Sequence, residues 1–235
     1  MSTARDIRSV IDEIIADRAA MAPVLRSNPA EFVGGRLATL ITTIGEGFVH
    51  GFVLDEDNER AYLAACCWAN AMPFTCASGP GDVNRGLYIA GPTGSGKTLL
   101  TKVLRKFADV CDAHVKTFGY AYRLGGFVDV RADEIVAEVA RTGDLTSWVT
   151  APVLCVQDVG AEPVEALYMG NRIPVIRQLI ERRADRDGGL LIITSNVLPS
   201  DLADRYGDRV ASRIPELCNL IVMAGNDRRR KFANL

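Results

Sequence analysis

Gly91-Pro92-Thr93-Gly94-Ser95-Gly96-Lys97-Thr98 (GPTGSGKT) decides how the rest of this 235-residue chain is read. The stretch matches G-x-x-x-x-G-K-[ST], the phosphate-binding P-loop. Gly91, Gly94 and Gly96 let the backbone bend tightly, so that successive N–H groups converge on one anion. Lys97 adds a mobile positive charge, and the Thr98 hydroxyl can ligate a divalent cation. The flanks agree. Leu87 to Ala90 (LYIA) reads as a short buried strand. Thr98 to Cys111 places Leu99, Leu100, Val103, Leu104 and Phe107 at helical spacing. Strand, glycine-rich loop and helix N-terminus together set an anion on a helix dipole.

Downstream, the chain alternates strands and helices. Phe127–Val130 reads as a strand and Ala132–Arg141 as a helix with Ile135, Val136 and Val139 inward. Val153 to Gln157 is a β-rich run closed by polar Gln157 and Asp158, the form of a Walker B strand. Ile173, Ile176, Leu179 and Ile180 mark a helix, and Gly189 to Asn196 (GLLIITSN) is a further buried strand. Tyr206 to Ile214 reads as a helix carrying Arg209 and Arg213 one turn apart, and Asn219 to Met223 as a last strand. This pattern predicts an α/β fold, a parallel sheet with helices on both faces.

Upstream, residues 5 to 18 put Ile7, Ile11, Ile14 and Ile15 on one face of an amphipathic helix, which packs on its own domain or on a partner. Leu37, Leu40, Ile41 and Ile44 suggest a second helix. A third begins at the acidic cluster Asp55 to Glu59 and runs to Pro73. The division expected is a helical, partner-binding region over 1–83 and an ATP-binding domain over 84–235.

Bulk properties narrow the class. The net charge of −2 gives no global attraction to nucleic acid, so a DNA contact must be a local patch. No apolar run approaches the roughly 20 residues of a membrane span, and the N-terminus lacks a signal-peptide core. A cytoplasmic location without membrane contact is expected. The six cysteines form no C-x-x-C pair, and His50 and His114 are isolated, which argues against a zinc site.

The order of the parts is more specific than any one of them. Leu154–Glu162 (LCVQDVGAE), Ile192–Asn196 (IITSN) and Arg205–Ile214 (RYGDRVASRI) follow the P-loop as Walker B, sensor 1 and an arginine-finger box do. Over roughly residues 84 to 230 the chain resembles the AAA+ ATPases, in particular the DnaC/IstB-like branch of helicase loaders and transposition helper ATPases. The resemblance implies an AAA+-like P-loop NTPase fold with no or a reduced C-terminal lid. It implies that Gly91, Pro92, Thr93, Gly94, Ser95, Gly96, Lys97, Thr98 and Leu99 hold ATP, and that Thr98 and Asp158 hold Mg²⁺. Catalytic roles would fall to Asp158, to Asn196 orienting the attacking water, and to Arg213 with Arg209 reaching a neighbouring subunit's nucleotide.

The sequence departs from that family at Walker B, which usually ends in two adjacent acids. Aligned on Gly160, those positions are Gln157 and Asp158. In one register Asp158 is the activating acid and Gln157 a neutral amide on the metal side. In the other, Asp158 is the metal acid and Val159 replaces the base. Slow or partner-stimulated hydrolysis is expected either way. Arg228 to Lys231 reads as a solvated or DNA-contacting tail. The family implies a replicative helicase as partner, single-stranded DNA, and nucleotide-dependent homo-oligomers. The competing readings are an IstB-like transposition helper, a nucleotide-binding switch with little turnover, and, ranked last, a P-loop small-molecule kinase.

Overall fold

A computed structural model describes residues 24–26, 36–117, 119–186 and 188–225, with isolated helical positions at 8, 12 and 16. Most of the amphipathic stretch 5–18 and the whole basic tail lie outside these residues. Among the described residues a five-stranded parallel sheet forms the centre. Its strands are β4 (Gly86–Ala90), β7 (Val128–Arg131), β8 (Val153–Val159), β11 (Leu190–Ser195) and β12 (Cys218–Val222). Their spatial order is β12-β4-β11-β8-β7, and every neighbouring pair is parallel. Every residue of β4 and β11 is buried, as the apolar runs LYIA and LLIIT require of strands covered on both faces.

Side chains alternate across each strand, so one strand feeds two cores. Leu87, Ile89, Cys155 and Ile192 face one layer, and Tyr88, Leu154, Val156 and Ile193 face the other. The second layer is covered by Ile135 and Val139 of α4 (Ala132–Thr142), Ile176 and Leu179 of α6 (Val175–Ala184), and Val210 and Ile214 of α8 (Asp208–Leu217). Each such burial contributes about 1.5–3 kcal/mol before entropy is counted.

The first layer joins α3 (Lys97–Val110) to α1 (Arg36–Glu46) and α2 (Glu59–Ala69). Ile41, Trp68, Leu104 and Phe107 are all fully buried in one cluster with Leu87 and Ile192. Residues 36 to 69 therefore cover one face of the central sheet and share its core. The Trp68 indole N–H donates to the Arg85 carbonyl at 2.7 Å and pins α2 to the base of β4. Gly86 opens that strand, where a Cβ would run into the Leu191 carbonyl of β11.

Several elements differ from the sequence expectations. α2 begins at the last residue of the acidic cluster, Glu59, and ends at Ala69, short of Pro73. The Asp55 carboxylate accepts the N–H groups of Asp57 and Asn58 at 3.1 and 3.2 Å, so residues 55 to 58 fold into a turn ahead of the helix. The arginine helix expected over Tyr206–Ile214 is broken at Gly207, whose φ of 88° and ψ of 160° separate α7 (Ala203–Tyr206) from α8. Antiparallel pairings also lie outside the expectations, among them β2 (Thr75–Cys76) with β3 (Gly79–Pro80). β1 (Val24–Arg26), β5 (His114–Thr117) and β6 (Tyr120–Arg123) form an antiparallel sheet. β9 (Ala166–Tyr168) and β10 (Asn171–Ile173) form a hairpin after β8.

Arg183 on α6 is buried, 5% exposed, and its guanidinium is held by backbone carbonyls. Its guanidinium donates to the carbonyls of Trp148, Val149 and Ala151 at 2.9, 3.2 and 3.0 Å, and to Leu190 at 2.9 Å. It thereby satisfies the C-terminal carbonyls of α5 (Thr146–Thr150) and ties them to the start of β11. Burial drives its pKa down to about 10. Truncation to alanine would strand these acceptors inside the protein. Arg183→Ala should lower the unfolding free energy by about 2–4 kcal/mol. The exposed neighbour Arg182→Ala should stay within about 0.5 kcal/mol of wild type. Urea denaturation of both variants checks the pair.

Candidate functional site

β4 delivers the chain to the P-loop at the C-terminal edge of the sheet, where open α/β sheets bind ligands. Gly94 and Gly96 take positive φ, 81° and 99°, and Gly96 caps α3 in the left-handed region. The first N–H groups of α3 have no intrahelical acceptor, and no acidic residue occupies its first turn. That leaves an anion site at the positive end of the helix. Gly91 lies where a Cβ would come within 2.7 Å of the Met223 carbonyl and 3.0 Å of Ser95 Oγ. Ser95 Oγ is itself buried with no hydrogen-bond partner among the described residues.

Lys97 is only 6% exposed. Its ammonium donates to the Gly91 and Pro92 carbonyls at 2.8 and 2.9 Å and to Asn196 Oδ1 at 2.7 Å. Asn196 follows β11, the strand between β4 and β8, so the sheet order sets it between the P-loop and Asp158. The two residues before it fasten the end of β8. The Thr194 hydroxyl accepts the Asp158 N–H at 2.9 Å, and the Ser195 hydroxyl donates to the Val159 carbonyl at 2.6 Å. The β8–β11 register shifts at this point, and Asp158 takes a φ of 58°. Its carboxylate, 32% exposed, turns into the cleft beside Arg131 Nη1 at 3.3 Å. Asn196, Lys97, Thr98 and Asp158 all line one cleft of about 730 Å³, within the ~300–1,000 Å³ usual for ligand pockets.

Gln157 faces away from this cleft. It is 5% exposed, and both ends of its amide are held under the sheet edge. Nε2 donates to Thr101 Oγ1 at 2.8 Å and Asp129 Oδ1 at 3.0 Å, and Oε1 accepts the Thr194 hydroxyl at 2.9 Å. Val159 is buried in the second core. Asp158 is thus the acid that the β8 strand presents to the cleft. The register with Gln157 on the metal side does not match this geometry.

Thr98 is exposed at the cleft and Asp158 lies across it. Among the described residues no three His, Cys, Asp or Glu side chains cluster as a complete metal cage. One hydroxyl and one carboxylate fit Mg²⁺ held jointly with phosphate oxygens, the arrangement that ion favours.

The far end of the cleft comes from residues that sequence reasoning did not single out: Val49, Phe52, Val53, Asp55, Asn58 and Tyr62. Phe52 and Tyr62 meet edge to face, with ring centroids 5.2 Å apart. The apolar stretch Phe48–Leu54, broken by Gly51, was the available signal. Arg131 also went unnoticed, because an arginine ahead of Asp133 and Glu134 reads as a helix-capping salt bridge.

Arg209 and Arg213 lie outside the cleft. Arg213 pairs with Asp185 at 3.3 Å and Glu216 at 2.7 Å. Asp185 precedes β11, so Arg213 sits at the N-terminal edge of the sheet, roughly 20 Å along the strands from the P-loop. Arg209 is exposed, with no ion pair among the described residues. A buried carboxylate connects the two ends of this region. Glu162 accepts the Gly160 N–H at 2.8 Å, takes the Tyr206 hydroxyl, and pairs with Arg205 at 3.7 Å. Burial first, and then Glu162, push the Tyr206 pKa up.

No protein-family model matches the sequence, and a search of curated proteins finds no match. Solved structures do show likeness. The DnaC helicase loader is 23% identical, covering 59% of this chain and 78% of that one, with a TM-score of 0.42. Domain III of the Thermotoga maritima replication initiation protein DnaA is 18% identical, covering 77% and 68%, with a TM-score of 0.48. AMPPCP-bound DnaA from Aquifex aeolicus is 19% identical, covering 78% of this chain and about half of that one (52%), with a TM-score of 0.46. The P-loop α/β fold rests on the chain's own sheet order and loop geometry.

Gln157→Asp tests the assignment of this residue to the interior. A carboxylate there would be too short to reach Thr194 and would confront Asp129. Loss of about 1–3 kcal/mol of stability is expected from the unpaired groups, with no gain in any ATPase activity. Thermal unfolding beside a phosphate-release assay reads both.

Proposed function

We propose that this chain is an ATP-binding AAA+ protein of the DnaC/IstB-like kind, which loads or regulates a replicative helicase on single-stranded DNA. One observation carries the nucleotide part: Lys97, Asn196 and Asp158 converge over the uncapped first turn of α3. The helicase, the DNA and the homo-oligomer come from the resemblance in motif order. Residues 1–83 are assigned to the partner, with 36–69 doing double duty as cover for the sheet.

In this reading the N–H groups of Thr93 to Leu99 hold the phosphates, and Lys97 exchanges its carbonyl partners for phosphate oxygens. That exchange releases Asn196 to orient a water. Thr98 and Asp158 would hold Mg²⁺, which would supply neutralising charge for the triphosphate. Arg213, with Arg209, serves a neighbouring subunit, since the N-terminal edge of the sheet where Arg213 sits is remote from its own P-loop. The exposed pairs of Arg213 with Asp185 and Glu216 cost little to break.

A second reading, a nucleotide switch with little turnover, is favoured by the single acid that β8 presents to the cleft. Gln157 is committed to the interior and contributes no second one.

Lys97→Ala should abolish binding of fluorescent ATP while its melting transition stays cooperative. Arg213→Ala should retain binding yet lose hydrolysis and nucleotide-dependent assembly. Mixed together, the two inactive variants should recover part of the activity, because one interface then pairs an intact P-loop with an intact arginine. If mixed assemblies form by native mass spectrometry and remain inactive, the trans role of Arg213 is excluded.

A further inference from the structure

Arg131 is the cleft residue for which neither the P-loop nor the motif order supplies a role. It ends β7, and its Cα is paired in register with Gln157, one residue before Asp158. It also opens α4 as its N-cap, with its own N–H donating to Glu134 Oε2 at 3.1 Å. Backbone geometry therefore fixes its Cα at the rim of the site.

Its side chain is held in one orientation. Asp133 takes Nε at 2.9 Å and Nη2 at 3.4 Å, a grip on one edge of the guanidinium plane. The opposite end, Nη1, is thereby aimed into the cleft, where it meets Asp158 Oδ2 at 3.3 Å. A guanidinium carries five N–H donors, and these contacts use three of them. The side chain is 53% exposed, so its bond to Asp158 is a surface ion pair of small worth. It lines the same cleft as Thr93 to Thr98 and Asn196.

Two anionic claims meet here. Asp158 is the acid that β8 presents to the cleft, and a Mg²⁺ ion would compete with Arg131 for it. A triphosphate would compete with Asp158 for Arg131, and phosphate oxygens suit the planar fork well. We propose that Arg131 acts in cis as the residue that recognises the terminal phosphate, exchanging Asp158 for it as the metal takes Asp158. The exchange makes triphosphate with metal the preferred occupant over diphosphate. Asp133 is the positioning residue, keeping the fork aimed while its partner changes. This inference rests on the nucleotide reading of the cleft and adds the group that distinguishes the γ-phosphate.

The test is a comparison of Mg·ATP and Mg·ADP dissociation constants for the wild-type chain, Arg131→Ala, the neutral polar Arg131→Gln, and Asp133→Asn. The expected result is that ADP affinity stays within about twofold in all four. ATP affinity should fall about ten- to a hundredfold in both Arg131 variants, the range for one lost charge-assisted contact. Asp133→Asn should lose part of that preference. Thermal unfolding confirms that each variant is folded, and the glutamine variant stands in if the alanine variant is not. An unchanged ATP-to-ADP ratio in the folded Arg131 variants would overturn the proposal and leave Arg131 as an ion pair that ties β7 to β8. If the wild-type chain binds neither nucleotide, the reading of the cleft falls, and the proposal with it. ADP binding by wild type separates the two failures.

Discussion

Seating β11 between β4 and β8 is the constraint on which the site depends. A parallel sheet ends all its strands at one edge, so the strand placed between the P-loop strand and the Asp158 strand must deliver its last residues between their loops. The three residues that leave β11 divide the work. Thr194 and Ser195 bind backbone at the end of β8 and hold Asp158 in its left-handed turn, while Asn196 meets Lys97. The alternation of buried apolar residues, which fixes the register of β11, thus also fixes the distance between a cation and a carboxylate.

The same economy applies beneath the sheet edge. Thr194 donates to Gln157, and Gln157 donates to Thr101 and Asp129, linking β11, β8, α3 and β7 in a chain of hydrogen bonds. Each polar group there is satisfied, as burial demands. On the first core face, α1 and α2 complete the cover over α3 and β4. The turn that precedes α2 then closes the far end of the cleft with Phe52, Asp55 and Tyr62. Helices ahead of the P-loop are consequently part of the cleft's wall.

Much of this was legible in the residues. The P-loop and its two flanks carry enough local chemistry to place a strand, a loop and a helix. The runs LCVQDV and LLIITS announce buried parallel strands. What a residue faces at the end of a strand was not legible. Gln157 and Asp158 point to opposite sides, and the register shift beside Ser195 decides which one enters the cleft, a feature of pairing and not of composition. Arg131 was hidden because its bond to Asp133 is local while its contact with Asp158 spans 27 residues. The break at Gly207 depends on a positive φ, which a glycine permits but does not announce. The contribution of residues 49 to 62 depends on α2 being pinned through Trp68 to the base of β4, a tertiary fact.

The most direct test is a crystal structure of the chain with Mg²⁺ and a non-hydrolysable ATP analogue. The account predicts the β- and γ-phosphates on the first turn of α3, with Lys97 Nζ moved from the Gly91 and Pro92 carbonyls onto them. It also predicts the metal between Thr98 and Asp158. An analogue bound elsewhere, or one bound in the cleft while Lys97 still holds those carbonyls and Asn196, would contradict it.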